Sequence, residues 1–408
     1  MYIEQLYTGC LAQAAYYIES EGEAAIIDPL REIEPYLRLA QQRGATIKYV
    51  FETHFHADFV SSHLDLHKAT GAQVVYGPCE MCELSIYQAR DGERFTLGAV
   101  TLEVLHTPGH TLESSCFLLR THDGTPHAVF TGDTLFNGDV GRPDLAVKAG
   151  HITSEMLADM LYDSLYAKLM TLPDETIVYP GHGAGSACGK HMSSETVTTL
   201  GAQKRTNYAL QPMTRDQFIA AVLEGQTAPP KYFFHAAQVN KRGYAPIEEV
   251  LATNTRPLPV ADFKAAQATG ALVLDARTPD QFAQGHVPGA INIGLDGQYA
   301  VWVGTLLDAN QQLLVVTDPG KETEAVLRLA RVGYENVAGV LAGGMPAWQA
   351  AGEAVATVAC VEPRELATVA AAPTTHILDV RNANELANGT LAGALHIPLA
   401  ELEGQLQR

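Results

Sequence analysis

The stretch Thr53-His54-Phe55-His56-Ala57-Asp58 comes just after Tyr49-Val50-Phe51, a run of bulky apolar residues that reads as a buried strand. Two histidines and a carboxylate delivered at a strand end suit metal ligation, because a rigid scaffold can hold such side chains convergent. Three further strand-like runs end in the same way: VLHTPGH reaches His110, AVFTGD reaches Asp133 and IVYPGH reaches His182. One histidine of this kind reads as an ordinary surface or core residue. Four such strand ends in one part of the chain read as a metal site.

Working outward, short β-branched and apolar runs predict strands over 16–18, 25–27, 49–51, 74–76, 101–105, 128–130 and 176–179. Helical patterns cover 33–43, ended by Gly44, and 154–170, ended before Pro173. The class is α/β. Pro-bearing connectors at 225–231 and 253–260 place the main domain boundary near residue 252. Beyond it, LVLDARTPDQFAQGHVPGAINI (272–293) is echoed by HILDVRNANELANGTLAGALHIP (376–398), with Asp275 matching Asp379 at an offset of 104 residues. A period of that size is a duplicated domain, not a solenoid. The chain therefore divides into 1–252, 253–358 and a partial second copy over 359–408. A prior of about 150 residues per domain agrees with two or three domains in 408 residues.

With 47% hydrophobic and 18% charged residues, the composition is that of a globular protein with material for sizeable cores. A net charge of -19 and no local basic patch argue against nucleic acid and anionic membrane as partners. The first twenty residues lack a basic start and an unbroken apolar core, and no run of about 18 apolar residues occurs, so a cytoplasmic protein is expected. Six cysteines are too few for a disulfide scaffold, which fits a reducing compartment. Eleven of the 15 histidines and five of the six cysteines lie at or before residue 191, which concentrates the chemistry in the first half.

Asp28 after AIID, THFHAD, TPGHT, FTGDTLF and the PGHG at 180–183 together resemble the metallo-β-lactamase superfamily, over about residues 1–183. The resemblance implies an αββα sandwich with metal at one edge of two sheets. Members usually carry HxHxDH and two metals, but here the last position is Phe59, which has no lone pair to offer. One complete site is then expected, from His54, His110 and Asp133. Two histidines and one carboxylate with open positions is the facial set of non-haem iron(II) oxygenases, although zinc accepts the same ligands. THFHADF, TPGHT, FTGDTLF and GDVGRPDL are similar to the persulfide dioxygenase branch. That resemblance implies one Fe(II) per chain, a low-molecular-weight thiol persulfide such as glutathione persulfide bound to it, O2 as co-substrate, and sulfite and thiol as products in sulfide oxidation and detoxification. His56, Asp58 and His182 would orient the ligands through hydrogen bonds. Dimers are common in the branch, so a homo-oligomer is expected. The alternative is a thiolester hydrolase of the glyoxalase II type, which shares THxHxD but uses two metals.

Arg142, in GRPDL, is the candidate for gripping a substrate carboxylate, with pairing to Asp139 or Asp144 as the other reading. Tyr179 either points its phenol at the site or packs as a core tyrosine. Cys188, flanked by glycine, Lys190 and His191, is the candidate catalytic persulfide carrier through a lowered pKa, against the common fate of a buried small hydrophobe. Cys79 and Cys82 form a single CxxC with no zinc-ribbon partner, whose role is open.

The repeated half resembles rhodanese-like sulfurtransferases through DARTPDQFAQGHVPGAINI and GYENVAGVLAGGMPAW. In that family the loop after the central strand carries a persulfide-forming cysteine. Here the loop is 317–323 and Asp318 stands at that position, so the first copy is expected to be a non-catalytic docking module. The second copy's loop would fall beyond Arg408. The natural chain is expected to continue and to carry the sulfurtransferase cysteine there, giving a thiosulfate-forming activity that this chain lacks.

Overall fold

The computed structural model describes residues 1–79, 86–147, 151–226, 228–370, 372 and 374–405. Cys82 therefore lies outside the described residues. By internal contacts the chain forms two compact units, Met1–Asn254 with Val326–Glu335, and Thr255–Ala325 with Asn336–Arg408.

The first unit holds two mixed six-stranded sheets. One has the order β1 (Tyr2–Thr8), β2 (Gln13–Ser20), β3 (Glu23–Ile27), β4 (Thr46–Glu52), β5 (Gln73–Tyr76) and β6 (Tyr87–Gln88). The other runs from β7 (Arg94–Leu97) through β8 (Val100–His106), β9 (Ser115–Arg120), β10 (Pro126–Gly132) and β11 (Ile177–Pro180) to β12 (Thr198–Thr199). Alternation sorts each strand's side chains into two cores. Tyr16, Ile18, Ile27 and Phe51 face Leu102, Val104, Phe117 and Phe130 between the sheets. Their neighbours Tyr17, Ile26 and Val50 pack outward on Tyr36, Ala40 and Leu66 of helices α1 (Glu34–Arg43) and α2 (His63–Thr70). On the other side Leu118, Val129 and Val178 meet Ala158, Leu161 and Phe218 from helices Ser154–Asp163 and Arg215–Leu223. Each fully buried Leu or Phe contributes about 1.5–3 kcal/mol. The result is the four-layer αββα sandwich.

Helix α1 ends on Gly44, whose φ of 66° and ψ of 30° make the left-handed cap expected of a terminal glycine. The helix starting at Ser154 is capped by Thr153, whose side chain accepts from Met156 N, and it runs on as a π turn (Ser164–Lys168) and a 3-10 turn (Leu169–Thr171). Strands β1, β7 and β9 were not legible in the sequence. β1 and β7 are partly exposed edge strands of mixed polarity, and SCFLLR of β9 is buried on both faces, which erases alternation.

The second unit carries a parallel sheet, β13 (Pro257–Leu258), β17 (Val337–Leu341), β16 (Leu313–Val316), β14 (Leu272–Asp275) and β15 (Ile291–Asn292), in that order. The duplication seen in sequence is duplicated in geometry. Arg277 Nη2 pairs with Asp275 Oδ2 at 2.5 Å and caps Gly285 O, while Arg381 Nη2 pairs with Asp379 Oδ2 at 2.6 Å and caps Gly389 O. Among the described residues the second copy contributes a helix (Pro363–Ala370), short 3-10 turns and the parallel pair β18 (Leu378–Asp379) and β19 (Leu395–His396). Among the described residues no helix is long and apolar enough to cross a membrane.

Candidate metal centre

β8 and β10 both run antiparallel to β9, and β11 is parallel to β10, so all three end at the same edge of their sheet. There they release His110, Asp133 and His182. β4 releases THFHAD, and its backbone is fixed by Asp28, which follows β3 with φ 50°. Asp28 Oδ1 accepts from Thr53 N at 2.7 Å and Oδ2 from the Thr53 hydroxyl at 2.8 Å. That hydroxyl has one proton and gives it to Asp28, so it accepts from His54 Nδ1 at 2.9 Å. His54 Nε2 is left as a bare lone pair.

The same logic fixes the other rings. His110 Nδ1 donates to Arg142 O at 3.0 Å and His182 Nδ1 to Ala12 O at 3.1 Å, and a carbonyl can only accept. His110 Nε2 then lies 3.5 Å, and His54 Nε2 4.0 Å, from Asp133 Oδ2. The ligand atoms of His54, His110 and Asp133 form one buried group within 4.8 Å. His54 Nε2 and both Asp133 oxygens are buried with no hydrogen-bond partner among the described residues. Unpaired lone pairs and a buried carboxylate are costly unless a cation joins them. Two imidazoles and a carboxylate fit such an ion, and the fold thus presents a metal-binding site made of His and Asp residues.

The surroundings support the neutral form of His54. Burial, and then the neighbouring imidazoles of His56, His110 and His182, hold its pKa well below the usual value. His56 is the opposite case. Burial opposes its charge, but Asp28 Oδ1 at 3.0 Å and Glu52 Oε2 at 3.2 Å outweigh it and hold the pKa well above normal. His56 Nε2 faces these two carboxylates and so ties β4 to Asp28. Phe59 packs against His56 with the rings tilted by 31° and their centroids 4.2 Å apart. For His182, burial is likewise outweighed by Asp133 and Asp58, and its pKa is raised.

Three expectations from sequence change here. The Arg142 guanidinium is buried and held by Asp144, Nε to Oδ1 at 2.6 Å and Nη2 to Oδ2 at 2.7 Å, with Nη1 on Ala187 O, so the fork sits on protein groups. Tyr179 packs between the sheets, stacked on Phe130 with centroids 5.1 Å apart and edge-on to Tyr16, as a core tyrosine. Cys188 is buried, and its thiol is pushed well up by burial and then by Asp133 and Asp58, the reverse of the lowered pKa expected from Lys190 and His191. Lys190 Nζ is instead spent on the carbonyls of Ala221 and Glu224.

Sequence reasoning missed two supports. Asn240, on the helix Tyr232–Arg242, donates to His56 O and Phe59 O, both at 2.8 Å, and accepts from Ser61 N at 3.0 Å. Asp139 accepts from the backbone N–H groups of Lys190 and His191 and so seats the Cys188 loop. Asp139 lies inside GDVGRPDL and could have been found. Asn240 stands 179 to 184 residues downstream of the groups it holds, in an unremarkable amphipathic helix. Gly141 has a clear structural reason: a Cβ there would lie 1.8 Å from Asp133 O and 3.0 Å from His110 Nδ1. Gly141→Ala must displace a backbone that carries two ligands, so metal content is expected to fall at least about tenfold at fixed metal supply, as measured by elemental analysis.

The fold and donor set agree with known families. The metallo-beta-lactamase superfamily matches residues 8–182 and the rhodanese-like domain matches residues 259–351. Among solved structures, a metallo-beta-lactamase from Staphylococcus aureus subsp. aureus COL is 31% identical with a TM-score of 0.73, covering 84% of this chain and 99% of that one. ETHE1 from Myxococcus xanthus is 32% identical with a TM-score of 0.51, covering 59% of this chain and 99% of that one. A protein described as a probable hydroxyacylglutathione hydrolase from Schizosaccharomyces pombe is 33% identical over 204 residues, 48% of this chain and 75% of the relative. The chain belongs to the metallo-beta-lactamase superfamily. More narrowly, it joins that domain to a rhodanese-like one.

Proposed function

We propose that the protein is a mononuclear non-haem iron persulfide dioxygenase. A low-molecular-weight thiol persulfide, O2 and water would give sulfite and the free thiol, the outer sulfur losing four electrons to dioxygen. The observation that carries this reading is the group of His54, His110 and Asp133 beside a phenylalanine at position 59. Fe(II) held by these three side chains would have open positions for both a sulfur donor and dioxygen. The protein's own contribution is orientation and dryness. Thr53, Arg142 O and Ala12 O each take the Nδ1 proton of a histidine and keep Nε2 turned to the centre. Phe59 against His56 and Phe136 edge-on to His182, both buried, give the centre apolar neighbours. Arg142, clamped by Asp144, acts as a positioning residue: its carbonyl holds His110 and its N–H holds Cys188 O at 3.1 Å.

A second reading, thiolester hydrolysis, is favoured by the likeness to hydroxyacylglutathione hydrolases. Phe59 weighs against it. In the second unit Asp318 accepts from Gln281 Nε2 at 2.9 Å, and a carboxylate cannot carry a persulfide, so this domain acts as a docking module. The deciding measurement is metal content with O2 uptake on glutathione persulfide. About one iron per chain and stoichiometric sulfite are expected. Thiolester hydrolysis without O2 uptake would overturn the reading.

A further inference from the structure

Residues 326–335 lie within the rhodanese-like domain in sequence, yet by their contacts they belong to the first unit, with Met1–Asn254. Their backbone reaches the loop beside the metal centre. Arg331 O accepts from Val60 N at 2.7 Å, and Val60 is fully buried, directly after Phe59. Asn240 holds that loop's other groups, His56 O, Phe59 O and Ser61 N, from the helix Tyr232–Arg242. The same helix also grips the segment, because His235 Nε2 donates to Gly333 O at 3.0 Å. Loop, helix and segment close tightly on one another: a Cβ at Gly333, where φ is +81°, would lie 3.0 Å from the His235 ring and 3.6 Å from Val60 Cγ2.

Both ends of the segment are fastened by side chains of the first unit. The Arg331 guanidinium forks onto Glu32, Nε to Oε2 at 3.1 Å and Nη2 to Oε1. Glu335 O accepts from Asn254 Nδ2 at 2.7 Å, and its carboxylate accepts from Arg31 Nη2 at 3.1 Å. Arg31 is itself fully buried, paired with Asp65 at 2.6 Å and bonded to Ala245 O. Ala330 adds an apolar contact to Ile247 and Val250. A fork on a carboxylate fixes direction as well as distance, so the Arg331 carbonyl is presented to Val60 by a rigid mount. A buried amide that loses its acceptor is strongly unfavourable, and the loop must follow the segment if the segment moves.

We infer that segment 326–335 is a working part of the metal centre, with Arg331 as a positioning residue that sets loop 56–61 through Val60. A domain with Asp318 in place of its nucleophile then has a use, since what it docks on is this chain's own metal loop. That role rests on the docking reading of the domain, and it holds whichever reaction the metal performs.

The test uses the full chain stripped of metal and titrated with cobalt(II), whose visible ligand-field bands report the geometry of its donors. Arg331→Glu sets two carboxylates face to face and should push the segment off the loop. Cobalt affinity is expected to fall at least about tenfold, as when an outer partner of a ligand is lost, with altered bands at saturating cobalt and faster hydrogen exchange over 56–61. The paired exchange of Arg331→Glu with Glu32→Arg reverses the ion pair and should bring back affinity, bands and protection together. Val273 packs in the second unit's own core with Phe263 and Trp348, so Val273→Ala should lower the urea midpoint and leave cobalt affinity unchanged. Gly333→Ala, which must displace His235 or the segment, should show the same changes on a smaller scale and serves if Arg331→Glu fails to fold. Wild-type cobalt affinity in either segment variant, a paired exchange that folds without recovering it, or an equal loss in Val273→Ala would each overturn the inference. None of these readouts depends on turnover, so they stand apart from the oxidation assay, whereas sulfurtransferase activity in the second unit would sink the docking reading alone.

Discussion

Replacing His110 by alanine is expected to abolish iron retention and with it O2 uptake on a thiol persulfide, a loss of at least about a hundredfold given that outer-shell changes alone cost 10–100-fold in metal affinity or activity. The ring supplies one of only two imidazoles in the set with Asp133, and its Nε2 is aimed by the bond from Nδ1 to Arg142 O. Its removal leaves the Asp133 carboxylate buried with one donor fewer beside it, so an ion cannot be held by rearrangement within this packed edge. The loss should show as metal content first and rate second. His110→Ala protein that still consumed O2 at the wild-type rate would refute the ligand set.

Asn240→Ala should be the most damaging single change outside the donor residues. It strips the loop 56–61 of three hydrogen bonds and leaves His56 O, Phe59 O and Ser61 N buried without partners. Each such orphan costs about 1–3 kcal/mol, so the protein is expected to lose about 3 kcal/mol or more of unfolding free energy. The loop also carries Asp58 and begins two residues after His54, so weaker iron binding should accompany the lower midpoint in urea. Asn240→Asp is the informative companion. It keeps the acceptor for Ser61 N but loses the donor to two carbonyls and adds a buried charge, and should be no better than alanine. A wild-type urea midpoint in Asn240→Ala would show that the loop holds itself.

Much of the first unit's fold was readable because its signals are local. Strand periodicity, the glycine that ends α1 and the histidines at strand ends each act over a few residues, so a short window contains the whole cause. Edge strands such as β1 and a doubly buried strand such as β9 were not readable, since the environment that makes them strands is supplied by distant neighbours. The duplicated half was legible from a repeat, and its two Asp–Arg pairs show the same hydrogen bonds in both copies. The candidate site divides along the same line. Donor types could be read from motifs. Where Arg142, Tyr179 and Cys188 point could not, because each direction is set by packing against residues far away in the chain or by a partner chosen from several.

By itself the sequence determined the α/β class, the superfamily motifs and the identity of the buried donors His54, His110 and Asp133, since those follow from residue chemistry next to short strands. It also set aside the usual second-metal histidine by placing phenylalanine at position 59. Only the tertiary structure decided that a cysteine well over a hundred residues later would come to rest beside Asp58 and His182. That encounter depends on the register of β10 with β11 and on the seat that Asp139 makes for the following loop. Contacts of this kind come from the closing of two sheets on one another, and no local pattern in the chain encodes them.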